Sequence, residues 1–265
     1  MSGSKEWALI LGSSSGFGEA VSLELARNGV GIFGVHLDRK NTQANADRIV
    51  GEIKAMGAQA QFFNMNAADE LKMDEVVAII EDTFQKNPGS KLRVMLHSLA
   101  FGTLKPFITD NVADAISKAQ MDMTLDVMAH SLVYWTQRLA RKKLLGKGSH
   151  IYAMTSAGSM RVWKTYGAVS AAKAALESHI RQLALELAPL GATANAIMAG
   201  VTDTPALRKI PGNEYMIEAA KKKNPGGRCT TPEDIAKAIV TFSNGHTAWM
   251  TGNTIRIDGG ENIVE

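Results

Sequence analysis

A single cysteine, Cys229, stands in this chain of 265 residues. It has no partner for an internal disulfide, so it reads as an ordinary small residue in a reducing, cytoplasmic setting. Proline is scarce, and no Pro- or Ser-rich stretch divides the chain into two regimes of composition. No repeat recurs at a fixed period either, which favours one domain over residues 1–265. No apolar run reaches the roughly 18 residues of a membrane span, and the opening Met-Ser-Gly-Ser-Lys-Glu lacks the apolar centre of a secretory leader. Charge of one sign is also missing in bulk: a net +3 gives no footing for nucleic acid. The basic residues that do cluster are Arg208-Lys209, Lys221-Lys222-Lys223 and Arg228, with Arg138, Arg141, Lys142 and Lys143 at the end of a helix. They read either as solvated faces and a cation-favouring helix end or as a docking surface for an anionic carrier.

What is present alternates regularly. Short apolar runs at residues 7–11, 30–35, 59–64, 92–96, 149–154, 192–197 and 254–257 read as strands. Helical spacing fills 19–28, 41–56, 70–86, 121–145, 166–190 and 232–243. Strand–helix alternation predicts parallel βαβ units in an α/β fold, a doubly wound Rossmann-like sheet with helices on both faces. Ligands of such folds sit at the carboxyl edge of the strands. The notable polar residues fall just after strands, at that edge.

Gly12-Ser-Ser-Ser-Gly16-Phe-Gly18 follows the first strand and opens a helix. Glycines there let the backbone approach a pyrophosphate, and the helix N-terminus supplies unpaired N–H groups. The turn alone is a weak signal; its strand–helix context makes it a dinucleotide site. The second strand ends in His36-Leu-Asp38-Arg39-Lys40. An acidic residue there holds the adenosine hydroxyl of NAD, whereas basic residues hold the 2′-phosphate of NADP. His36 takes the acidic residue's place, and Arg39 and Lys40 lie within reach of a phosphate. The charge pattern therefore favours NADPH, with NADH possible through Asp38. Asp38 and Arg39 pairing on the surface is the plain alternative.

Tyr166-Gly-Ala-Val-Ser-Ala-Ala-Lys173 carries a phenol and an ammonium two helical turns apart, on one face. With the glycine turn, His97-Ser-Leu-Ala-Phe-Gly102, Ser156-Ala-Gly-Ser-Met-Arg-Val-Trp-Lys-Thr-Tyr166, Asn195-Ala-Ile-Met-Ala-Gly-Val-Thr-Asp-Thr204 and Ile257-Asp-Gly-Gly260, the chain resembles the short-chain dehydrogenase/reductases over almost its whole length. Within them it resembles the enoyl-acyl-carrier-protein reductases, especially the NADPH-preferring type III enzymes. Ordinary members place the tyrosine four residues before the lysine, where this chain has Val169. The longer spacing leaves room for a longer conjugated substrate.

The resemblance implies the chemistry. Hydride from a nicotinamide reaches the β-carbon of a 2-enoyl thioester, and negative charge gathers on the thioester oxygen. Tyr166 would stabilise that oxygen by hydrogen bonding. Lys173 would hold the nicotinamide ribose and favour an acidic phenol. Ser156 would assist from the pocket wall, or serve only as a turn serine. The resemblance places Gly12, Ser13, Ser14, Gly16, Phe17 and Gly18 at the phosphates and Asn66 and Ala67 at the adenine, beside the Arg39 that the charge pattern offers to a 2′-phosphate. Ser98, Leu99 and Ala100 would line the ribose, and Gly200, Val201, Thr202 and Thr204 the nicotinamide and pyrophosphate. Residues 203–227 would form a substrate lid, with Ala206, Leu207, Ile210, Tyr215, Met216 and Ile217 covering an acyl chain or packing as satellite core. Asp126 aligns with an asparagine that supports a proton relay in ordinary members, so a plain ketone reductase is disfavoured.

The substrate implied is an acyl thioester on acyl carrier protein or coenzyme A, in fatty acid biosynthesis. Small residues along 166–190 resemble the helix interface of homotetramers in the family. The rivals are a 2,4-dienoyl-coenzyme A reductase, a carbonyl-reducing relative with a displaced tyrosine, and a non-catalytic nucleotide sensor. Tyr166, Lys173 and Ser156 together speak against the sensor, which needs no proton donor.

Overall fold

The structure is a computed structural model and describes residues 5–264. Seven parallel strands form one sheet: β1 (Glu6–Leu11), β2 (Gly31–His36), β3 (Ala60–Asn64), β4 (Lys91–His97), β5 (His150–Ser156), β6 (Thr193–Ala199) and β7 (Thr254–Ile257). Their spatial order is β3-β2-β1-β4-β5-β6-β7. The order reverses between β1 and β4, which pair from Glu6↔Lys91 to Leu11↔His97. That reversal opens a crevice at the carboxyl ends of both strands, where nucleotides bind in this fold. Every residue of β2 and β6 is buried. Helices cover both faces of the sheet, which is why these strands read as unbroken apolar runs rather than as alternation.

On one face lie α1 (Gly16–Arg27), α2 (Gln43–Ala55) and α8 (Pro232–Phe242). They close over Ile10, Ile32, Leu96 and Ile197 with Leu25, Ile49 and Ile239. On the other lie α3 (Glu70–Lys86), α4 (Lys118–Leu125), α5 (Ser131–Arg141) and α6 (Gly167–Leu187). They cover Leu9, Met95, Ile151 and Ala196 with Ile80, Trp135, Leu176 and Ile180. Burial of each such leucine, isoleucine or methionine contributes roughly 1.5–3 kcal/mol.

The helix expected over 121–145 differs in three ways. It starts early, at Lys118, because Ser117 and Gln120 form a capping box. A π-helical turn at Asp126–His130 separates α4 from α5. The helix then stops at Arg141, with Lys143 left-handed two residues later. Helix α1 begins at Gly16 rather than 19, directly out of the glycine turn. Helix α7 (Asn213–Lys223), within the expected lid, has no sequence signature, since only Ala220 of it is buried. Among the described residues, no helix is long and apolar enough to cross a membrane.

Candidate active site

The glycine turn leaves β1 at Leu11 and enters α1 at Gly16. A Cβ on Gly18 would lie 1.9 Å from the Gly12 carbonyl oxygen, so only glycine lets the helix start this close to the turn. The Ser15 side chain does not cap α1. The first-turn N–H groups, from Phe17 and Gly18, thus have no side-chain acceptor and point a positive dipole end into the crevice. Ser13, in the same turn, is tied to the sheet. It is fully buried, and its N–H (3.0 Å) and hydroxyl (3.2 Å) both go to the Val35 carbonyl. It therefore ties the turn to β2. A Cβ on Gly12 would lie 2.5 Å from the Ser98 carbonyl oxygen and 3.5 Å from Leu99, so the loop after β4 forms the opposite wall. Thr204 closes a third side, 3.5 Å from where a Gly16 Cβ would be. Asn66 and Ala67 follow β3, and Trp135 Nε1 donates to the Ala67 carbonyl at 2.8 Å, fixing that loop from α5. Such a cradle, with glycines where a Cβ would block the backbone and with open helix N–H groups, fits a dinucleotide.

Past β2, Asp38 does not pair with Arg39. Its carboxylate meets His36 Nδ1 at 2.8 Å, while its N–H donates to Asn64 Oδ1 at 3.0 Å. Burial opposes its ionisation, but Thr42, Ser14 and His36 together hold the carboxyl below the usual range. Arg39 is exposed and, among the described residues, has no ion-pair partner.

Tyr166 stands at the N-cap of α6, and Lys173 is buried two turns on. The lysine donates to the Met154 carbonyl of β5 at 2.7 Å. Burial pulls its pKa down to about 8, against the attraction of Glu177. The phenol packs over Gly158, where a Cβ would lie 2.5 Å from Tyr166 Cε1 and 3.1 Å from Ser156 Oγ. Ser156, Gly158 and Tyr166 thereby share one pocket wall. The Ser156 hydroxyl is buried without a hydrogen-bond partner. Burial pushes the phenol above its ordinary pKa, and the neighbouring Ser156 hydroxyl draws it partly back.

Val169 is only 5% exposed and, with Thr124 Cγ2 and Met128 Sδ, crowds the space a Gly102 Cβ would take, at 2.8–2.9 Å. The position that carries the phenol in ordinary members is therefore sealed in the core. His97 is fully buried at the end of β4, and burial, then the Lys173 charge, takes its pKa down to about 3. Ser131 donates its hydroxyl to the Val127 carbonyl, so His97 Nε2 must donate to Ser131 Oγ (2.8 Å). Asp126 opens the π-helical turn and is half-buried. Burial raises its pKa while His130 lowers it.

Sequence reasoning missed Glu261. It is buried, and its Oε2 accepts the Val201 N–H at 2.9 Å. Burial raises its carboxyl pKa, which the Val201 hydrogen bond partly reverses. Thr230 Oγ1 and Glu261 Oε2 occupy the space a Gly200 Cβ would need, at 2.5 and 2.7 Å. The loop from Gly200 to Thr204 is thus pinned from below by the turn after β7. Arg161, from the loop before Tyr166, reaches the same turn through the Asn262 carbonyl at 3.4 Å. No local pattern marks these contacts, since the partners lie 60 and 101 residues apart.

Residues 12–262 match the family model described as enoyl-(acyl carrier protein) reductase, and the chain belongs to that family of short-chain dehydrogenase/reductases. It is similar to the 1-cyclohexenylcarbonyl-CoA reductase of Streptomyces collinus, at 28% identity over 98% of this chain and 88% of that one. It is also similar to the 3-oxoacyl-[acyl-carrier-protein] reductase FabG of Pseudomonas aeruginosa, at 27% identity and 96% of each chain. Its fold matches the crystal structure of the enoyl-[acyl-carrier-protein] reductase (NADH) from Aquifex aeolicus VF5, with a TM-score of 0.84, 24% identity, and coverage of 98% of this chain and 97% of that chain. The chain is an oxidoreductase of this superfamily, which works with a nicotinamide nucleotide.

Proposed function

We propose that the protein reduces the 2,3 double bond of an enoyl thioester, with NADPH preferred over NADH. One observation carries the reading: the phenol comes from Tyr166, beside Ser156, while Val169 is locked into the core. A phenol displaced by nearly one turn suits an oxyanion that forms one conjugated bond beyond the reacting carbon. The nicotinamide, when bound, supplies the hydride. Tyr166 Oη donates to the thioester oxygen as charge gathers there, in a pocket dry enough for the bond to count. A phenol kept above its ordinary pKa by burial holds its proton until then. Ser156, whose hydroxyl is buried beside the phenol, adds a second donor. Lys173 leaves the Met154 carbonyl or shares it to hold the ribose hydroxyls.

Support for NADPH comes from the arrangement after β2. His36 engages Asp38, which leaves the Arg39 guanidinium available to a 2′-phosphate. Residues 203–227, with α7 and the half-buried Leu207, Met216 and Ile217, act as the substrate lid. The acyl group arrives on carrier protein, for which the lid's exposed lysines are the docking charge.

The test is nucleotide oxidation with a crotonyl thioester beside an acetoacetyl thioester, each with NADPH and NADH. Rapid oxidation with crotonyl alone is expected. Tyr166→Phe should keep NADPH binding and lose most of that turnover, about 100-fold or more. Reduction of acetoacetyl alone would make the protein a ketoreductase.

A further inference from the structure

Among the described residues, two that are not glycine have positive φ: Lys143 at 56° and Thr165 at 66°. Lys143 closes α5, where a left-handed residue is ordinary. Thr165 ends no helix. It is β-branched, the type least suited to that region, and it immediately precedes Tyr166. Tyr166 N–H donates to the Trp163 carbonyl at 3.1 Å, so residues 163–166 form a hydrogen-bonded four-residue turn with Thr165 third. Lys164 has no positive φ, which makes this a type II turn, whose third position belongs to glycine or asparagine. The Thr165 hydroxyl is buried and has no hydrogen-bond partner. Nothing polar in the turn compensates for a threonine in that slot.

We infer that Thr165 is a positioning residue for Tyr166. Its half-buried side chain, whose hydroxyl is shut off from solvent, pins the left-handed turn in one orientation, and that orientation aims the phenol across Gly158 at Ser156. The turn is fixed on both sides. Trp163 Nε1 donates to the Pro211 carbonyl at 3.3 Å, and Ser170, one turn into α6, donates its N–H to the Tyr166 carbonyl at 2.8 Å. A glycine in the slot would satisfy the turn and leave the phenol free to swing. A small displacement of a reacting group is enough to cost rate heavily. The inference rests on Tyr166 being the proton donor proposed above.

The experiment compares Thr165→Gly, Thr165→Asn and Tyr166→Phe, alone and in combination, with crotonyl thioester and NADPH. Thr165→Gly should fold with a thermal midpoint at or above that of the parent, since it relieves the backbone. Its kcat should fall about ten-fold with the KM for NADPH unchanged. Thr165→Asn accepts positive φ and keeps side-chain bulk, so its kcat should return to within about two-fold of the parent. In the Tyr166→Phe background, Thr165→Gly should cost nothing further, because its effect passes through the phenol. Full kcat in Thr165→Gly, a lowered midpoint in it, an equal loss in Thr165→Asn, or an additive loss in the double variant would each overturn the inference. Full turnover in Tyr166→Phe alone would instead refute the role of the phenol, a separate result read from a separate variant.

Discussion

Lys173 is a buried amine, and burial takes its pKa from the ordinary 10.5 down to about 8. Below pH 8 the folded and unfolded chains both hold the proton, and the folded one bears the cost of burying it. Between about 8 and 10.5 the native state has shed a proton that the unfolded chain still keeps, so stability rises with pH across that window. Lys173→Met should therefore be more stable than the parent at pH 7, by about 1–3 kcal/mol, while losing turnover. Thermal melts from pH 7 to 10 should show the difference shrinking. At the other end of the crevice, Arg39→Ala should raise the KM for NADPH about ten-fold or more and leave NADH alone; steady-state kinetics with both nucleotides decide it. Residues like these were legible because they sit in short motifs: Tyr166 and Lys173 share a helix face, and the glycine turn follows a strand. Gly158 was not, because its requirement is a ring from eight residues away folded back onto it. The tie from the Ser13 hydroxyl to Val35 was hidden for a related reason, its acceptor lying on a neighbouring strand that the motif does not contain.

Helix α8 shows what one element contributes to another. Thr231 and Asp234 form a capping box at its start, and Arg228 forks onto Asp234 at 2.6 and 3.0 Å. The helix packs against α1, whose first turn faces the crevice. Thr231→Ala should cost about 1 kcal/mol in chemical denaturation. The Arg228 contact, chiefly, takes the Asp234 carboxyl down to about 2. Its stabilising share is present above the ordinary 3.8 and drains away as pH falls towards 2. Asp234→Asn should flatten the acid limb of the stability curve in that range and leave a smaller gap below it. Strands and the long helices were readable from apolar runs and helical spacing. The capping box at Ser117 was written in the chain as Ser-x-x-Gln. The π-helical turn at Asp126–His130 was not, since one extra residue in a turn barely disturbs a 3.6-residue pattern. Helix α7 escaped because a helix that buries a single residue leaves no apolar stripe to read.

Across the whole molecule, the basic clusters divide. Arg138 pairs with Glu70 and Asp74, and Lys142 with Glu81. Arg208, Lys221 and Arg228 pair with Asp203, Glu218 and Asp234. Lys222 and Lys223 are without ion pairs among the described residues, so α7 keeps net positive charge beside the crevice. Reversing Lys221, Lys222 and Lys223 to glutamate should raise the KM for a carrier-protein thioester at low salt. The effect should fade at high salt and be absent with a short thioester that lacks the carrier. An unchanged carrier KM at low salt would remove the docking role. The molecule's other long-range device is the turn after β7, where Glu261 holds Val201 and Asn262 receives Arg161. On the ribosome, Val201 emerges 60 residues before Glu261. Throughout that interval the growing chain carries the glycine turn, but the Gly200–Thr204 loop has no floor and Arg161, in the loop before Tyr166, lacks the Asn262 carbonyl it reaches. A nascent chain stalled before Glu261 therefore lacks both long-range ties, the one that floors the Gly200–Thr204 loop and the one that holds the loop before Tyr166.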